Sequence, residues 1–254
     1  MPKTKNEFNL DIKEMAEAGL HFGHQTSKTH PKMKPFIHGT RNSINLIDLD
    51  KTKESLEKAL EFIKKEISEN KTLLVVGTKI QARRLVEDFG KEHDLTYVNE
   101  RWLGGTISNF EIIKKRIDYF NELQRKKETG ELEKYTKKER GQFDLELGRL
   151  EKKFKGIRNL EKLPDIVFVL DITKDALTIK EAKSKEITTI GVCDVNSDPS
   201  SVDWAIPAND DSVSSIRYIL NKLSESVKKG EELKGAKKQE KEKKEPLEES
   251  ETKE

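Results

Sequence analysis

The chain contains a single cysteine, Cys193, so no disulfide can form within it and no thiolate metal cluster can assemble. Its longest apolar runs, Leu73 to Val76 and Ile166 to Leu170, are far too short to cross a bilayer, and its polar start has no apolar signal region. A soluble, cytoplasmic protein with no membrane partner is expected. Aromatic residues are only 6 % and hydrophobic residues 33 % of the composition, so solvated helices or a tail must dilute an ordinary core. Neither charge sign dominates: 49 basic residues face 47 acidic ones, for a net charge of +2. Any grip on a polyanion must therefore come from local clustering.

One such cluster is marked by another absence. From Leu20 to Asn45 there is no Asp or Glu, where the chain's average would place about five. The stretch holds Lys28, Lys32, Lys34 and Arg41, with His21, His24, His30 and His38. A surface kept clear of carboxylates suits a nucleic-acid phosphate backbone.

What remains falls into an alternating pattern. Leu10, Ile12, Met15, Ala16 and Leu20 space a short helix leading into the acid-free arm, which Pro31 and Pro35 then keep irregular. Asp50 can cap a helix with apolar positions Leu56, Leu60, Ile63 and Ile67, closed at Asn70. Apolar runs at Leu73 to Gly77, Leu95 to Val98, Ile166 to Leu170, Thr189 to Cys193 and Trp204 to Ile206 read as buried strands. Helical spacings separate them: Ile80 to Phe89 ending at Gly90, Asp175 to Lys185, and a last helix through Ile216, Ile219, Leu220 and Leu223. Buried strands alternating with amphipathic helices predict an α/β fold, a doubly wound parallel sheet covered on both faces.

Two segments break the pattern. Phe110, Ile113, Ile117 and Phe120, then Phe143, Leu147, Leu150, Phe154 and Ile157, step by three and four on either side of Gly130, predicting an inserted helical coiled-coil hairpin. From Val227 to Glu254 the chain is Lys- and Glu-rich with almost nothing to bury, and disorder is expected. The expected organisation is thus residues 1–106 as the first part of the α/β domain, including an extended RNA-facing arm at 20–45. Residues 107–157 are the hairpin, 158–226 the second part of the domain, and 227–254 a disordered tail.

Catalytic signatures are missing. Gly77-Thr78-Lys79 lacks the upstream glycine of a P-loop, no stretch reads G-x-G-x-x-G, and there is no nucleophile elbow. Asp194, Asp198, Asp203, Asp210 and Asp211 could suggest a magnesium site, but turn and capping chemistry explains them equally well. The arm histidines could suggest a metal, yet hydrogen bonding to RNA or backbone suits them better. No catalytic residue, metal or cofactor is expected. Arg101-Trp102, followed by Gly104-Gly105, could stack on bases and approach a phosphate, or could pack as core.

In order and spacing, His21-Phe22-Gly23-His24-Gln25-Thr26, Pro31-Lys32-Met33-Lys34-Pro35-Phe36-Ile37, Arg101-Trp102-Leu103-Gly104-Gly105, Leu163-Pro164-Asp165 and Asn196-Ser197-Asp198-Pro199 form a specific set. Together they resemble the family of the second protein of the bacterial small ribosomal subunit, from Ile12 to Leu223. The resemblance implies a flavodoxin-like α/β domain with an inserted coiled-coil hairpin and no catalytic role. It also implies contact with small-subunit ribosomal RNA between head and body, beside neighbouring ribosomal proteins. Among these is the large first protein of the subunit, which gathers messenger RNA and which this family helps to seat. The chain departs from the family pattern at Ser27-Lys28-Thr29-His30, where relatives commonly carry an arginine and a tryptophan.

On this reading the RNA-binding residues are His21, His24, Gln25, Lys28, Lys32, Lys34, Arg41, Arg101, Trp102, Lys114, Lys115 and Arg116. The hairpin lysines could equally be a solvated face, since Glu111 and Asp118 lie among them. Two rivals stand beside it: a nucleotide- or phosphate-dependent enzyme using Thr78, Lys79 and Asp194, and a protein-interaction scaffold built on the hairpin and tail.

Overall fold

The computed structural model describes residues 7–248, with side chains through residue 236. A short helix, α1 (Ile12–Glu17), leads into strand β1 (Phe22–Gln25), and β2 (Ile37–Arg41) and β3 (Ile44–Ile47) follow. These three strands form a small antiparallel sheet in the order β1-β3-β2. Asn42 and Ser43 both take positive φ, 50° and 63°, in the two-residue turn between β2 and β3, the backbone sign that matches hairpin twist. The arm is therefore not the extended strap expected from its polarity. It is ordered because Met33, fully buried, anchors it in the core and because the His30 N–H donates to the Val195 carbonyl at 2.8 Å.

Helix α2 (Leu49–Ser68) is capped by Asp48, whose carboxylate accepts the Asp50 N–H at 3.1 Å. Asp50, the expected cap, lies instead in the first turn, where its charge suits the helix dipole. Asn70 closes the helix at φ 68°. There follow β4 (Leu73–Val76), α3 (Ile80–Glu92), β5 (Thr96–Val98), α4 (Phe110–Glu128) and α5 (Lys137–Phe154). The rest is β6 (Ile166–Val169), α6 (Ala176–Ser184), β7 (Thr188–Cys193), β8 (Trp204–Pro207) and α7 (Val213–Glu248). Gly90 does not end α3 as its type suggested. A Cβ there would come within 2.2 Å of the Tyr97 ring, so the glycine serves close packing inside the helix.

Strands β5-β4-β6-β7-β8 form one parallel sheet in that order, consistent with a flavodoxin-like fold. Alternate residues along each strand feed opposite layers. Leu73, Val75, Ile166, Phe168, Ile190 and Val192 pack with α2, α3 and α7; Leu74, Val76, Val167, Val169 and Cys193 pack with α4, α5 and α6. Helices α4 and α5 contact one another through Ile117, Phe120, Leu123, Leu147 and Phe154, and that stripe is continuous with the second layer.

The expected disorder from Val227 is overturned for the described residues. Helix α7 runs on to Glu248, Val227 is fully buried, and a Cβ on Gly230 would meet the Ile67 side chain and the Lys64 carbonyl at 2.9 Å. Lys228 pairs with Glu92 at 2.8 Å, and the Lys229 ammonium lies over the Phe8 ring. Composition alone hid one buried valine and one glycine at a helix crossing. Residues 249–254 lie outside the described chain.

Candidate nucleic-acid interface

Because the five strands run parallel, the loops after them open on one end of the sheet, the usual place for a ligand in such folds. That end is already occupied by the chain's own charges. The Lys79 ammonium lies 2.9 Å from Asp171, 2.7 Å from Asp210 and 2.8 Å from Asp211. Burial disfavours the ammonium, but the three carboxylates outweigh it and hold its pKa above the ordinary lysine range. Burial, together with the Asp171 and Asp194 carboxylates, pushes the Asp210 carboxyl up. Asn209 Oδ1 accepts the Asp211 and Ser212 N–H groups, so Asn209 supplies the oxygen at the start of α7 and the two aspartates hold Lys79.

Thr78 is committed as well. Its N–H and hydroxyl both donate to the buried Asp175 carboxylate, at 3.3 and 2.9 Å. In a nucleotide-binding sheet those donors would face a phosphate; here a carboxylate of the same chain takes that place.

The arm docks on this end from outside. His24 Nδ1 lies 2.7 Å from Asp194 Oδ2, and its Nε2 lies 3.3 Å from Asp211 Oδ2. The hydrogen bond to Asp194 outweighs burial and raises the histidine pKa. His24, Asp194, Asp210 and Asp211 bring one imidazole nitrogen and three carboxylate oxygens within 4.8 Å of one another, a donor set that could hold a divalent cation. The histidines and the aspartates, read separately in the sequence, meet in this one cluster.

The remaining arm residues divide sharply. Lys28, Lys34 and Arg41 are exposed and form no ion pair or hydrogen bond with a described side chain, and Gln25 is exposed beside them. Lys32 is exposed but turned onto Asp198 at 2.8 Å and Ser200 at 2.6 Å. Burial lowers the pKa of His21, which packs on Phe22 at 3.9 Å between ring centroids. On α4, Lys114 donates to the Glu161 carbonyl at 3.0 Å, whereas Lys115 and Arg116 extend into solvent.

Trp102 is core rather than a stacking platform. It is 7 % exposed, and its indole N–H donates to Glu181 at 3.2 Å. The same carboxylate accepts the N–H groups of Gly105, Ile107 and Ser108 at 2.8, 3.0 and 3.1 Å. Burial opposes the charge of Glu181, but these donors prevail and lower its pKa. The loop is thus folded around a buried anion, with Arg101 left on its outer surface.

The family model of ribosomal protein S2 matches residues 15–230. The chain belongs to that family. It is 44 % identical over 222 residues to the small ribosomal subunit protein uS2 of Dictyoglomus thermophilum, covering 87 % of this chain and 90 % of that relative. The uS2 proteins of Coprothermobacter proteolyticus and Petrotoga mobilis are 43 % and 41 % identical, each over 88 % of this chain and over 83 % and 77 % of their own lengths.

Sequence reasoning missed Asp171, Asp175 and Glu181, the three acids that organise the strand ends and the Trp102 loop. A signal existed for Glu181. It stands between Ile179 and Ala182 on the buried face of α6, where an unpaired charge is costly and so implies partners.

Proposed function

We propose that this chain is a structural constituent of the small ribosomal subunit. It binds small-subunit ribosomal RNA between head and body and helps to seat the large first protein of the subunit, which gathers messenger RNA. The observation that carries the reading is the near full-length similarity to proteins named small ribosomal subunit protein uS2. The exposed cations Lys28, Lys34 and Arg41, which form no ion pair with a described residue, supply the chemistry on an acid-free arm, with Arg101, Lys115 and Arg116 as further phosphate contacts. The segment of α4 and α5 serves as a coiled-coil projection toward RNA or a neighbouring protein.

The enzyme reading loses its residues, since Thr78 and Lys79 are held by carboxylates of the same chain. Ribosome association in the cytoplasm is the matching location, and no described helix is long and apolar enough to cross a membrane. Sedimentation of cell lysate through a density gradient tests the reading. The chain should travel with small subunits and leave them at high salt, and its complete separation from ribosomal particles at low salt would overturn the proposal.

A further inference from the structure

Outside the Lys79 network, the carboxyl ends of β4, β5 and β6 border an open cleft of about 390 Å³, whose lining includes Thr78, Arg83, Glu100, Arg101, Lys174 and Asp175. It lies where the strand order reverses, with β5 on one side of β4 and β6 on the other, the crevice in which doubly wound sheets receive ligands. The charges in it are unbalanced. Lys174 Nζ and Arg83 Nε both donate to one neutral acceptor, the Thr78 carbonyl oxygen, at 3.2 and 3.3 Å. Arg101 stands exposed beside them without an ion pair to a described residue.

The two acids offset this only in part. Asp175 is buried and turned onto Thr78. Glu100 pairs with Arg83 Nη1 at 2.8 Å, one half-exposed carboxylate among three cations. Arg83 is thereby charge-paired, whereas Lys174 and Arg101 form no ion pair with a described carboxylate. Arg83 Nη2 also donates to the Glu100 carbonyl at 3.4 Å, so that fork is already held, and the Arg101 fork and the Lys174 ammonium are the donors left to meet the oxygens of a tetrahedral oxyanion.

We propose that this cleft is a phosphate subsite formed by Arg101 and Lys174, with the Glu100-bound Arg83 behind them. The phosphate can belong to an RNA backbone or to a free nucleotide. The first source deepens the ribosomal-RNA reading and rests on it; the second does not.

The test uses the full-length chain, transcribed small-subunit ribosomal RNA, and AMP as the free-phosphate probe. Arg101→Gln with Lys174→Gln removes two exposed cations, and Glu100→Gln removes the competing acid; thermal melts confirm that both variants fold. For an RNA phosphate, the double variant should bind the RNA about tenfold more weakly, with a salt slope shallower by about one. Glu100→Gln should bind more tightly, an opposite sign that a purely structural role would not produce. For a nucleotide phosphate, AMP should bind the wild type and be lost in the double variant. If the wild type binds RNA with a steep salt slope, neither variant alters affinity or slope, and AMP does not bind, the subsite is refuted while the ribosomal reading stands. If the wild type fails to bind the RNA, the ribosomal reading falls and AMP alone decides the subsite.

Discussion

Glu181 holds Trp102 by the indole N–H at 3.2 Å, and the same carboxylate gathers three consecutive-region backbone N–H groups from Gly105 to Ser108. A buried carboxylate with that many donors fixes the loop joining β5 to α4. The loop's shape therefore depends on a residue of α6 more than on its own glycines.

Glu181→Gln should destabilise the chain by about 2–4 kcal/mol, because an amide cannot accept on both sides and donors are left unsatisfied. Urea unfolding measures the loss. In a Trp204→Phe background, Trp102 fluorescence should shift to the red as the indole meets water.

Acid should reproduce part of that effect. The folded-state pKa of Glu181 lies below its ordinary value of 4.5, so its contribution is fully present above that value and is lost as pH falls through the lowered one. The stability difference between wild type and Glu181→Gln should accordingly be constant near neutrality and shrink in acid. Urea midpoints taken at intervals down the acid range will show whether the two curves converge.

Lys79→Met should cost about 3–5 kcal/mol, since it leaves the buried Asp171 and Asp210 without their cation. Adding Asp210→Asn should restore part of the loss. Equal stability of the single and double variants would show that the carboxylates do not depend on the lysine.

Replacing Lys28, Lys34 and Arg41 together by Gln should reduce the slope of log affinity for ribosomal RNA against log salt by about two to three. Fold stability should change little, because none of the three side chains forms an ion pair or hydrogen bond with a described residue and Lys28 acts on Asp211 only through its longer-range field. Lys32→Gln has a second effect, freeing Asp198 from its 2.8 Å ion pair. Filter binding over a series of salt concentrations separates the two cases.

Ending the chain after Ser226 should lower stability by about 2 kcal/mol through loss of the buried Val227 and the close contact at Gly230. Ending it after Glu232 should not. Thermal melts of the two truncations make the comparison.

The strands were legible because a run such as Leu73 to Val76 is apolar at every position, which only a sheet covered on both faces explains. The helices of the 107–157 segment were legible from spacing alone. The arm's fold was not. Its order comes from one buried methionine and from hydrogen bonds to residues more than a hundred and fifty positions away, such as His24 to Asp194, which no local pattern encodes. Distance in sequence likewise hid the fate of the candidate site residues. Lys79 stays a weak phosphate-site candidate until Asp210 is brought beside it, and Trp102 stays open between base stacking and core until Glu181 is.

Both ends of the described chain meet on α7. Phe8 and Leu10 are buried in the layer that α7 completes, and Lys222 donates to the Phe8 carbonyl at 3.0 Å. During synthesis Phe8 and Leu10 can thus pack against α2 but lack the α7 side of their layer until residues 213–227 have emerged. Closure of that layer waits on α7, and until then apolar surface around Phe8 and Leu10 stays open to chaperones or to misassociation.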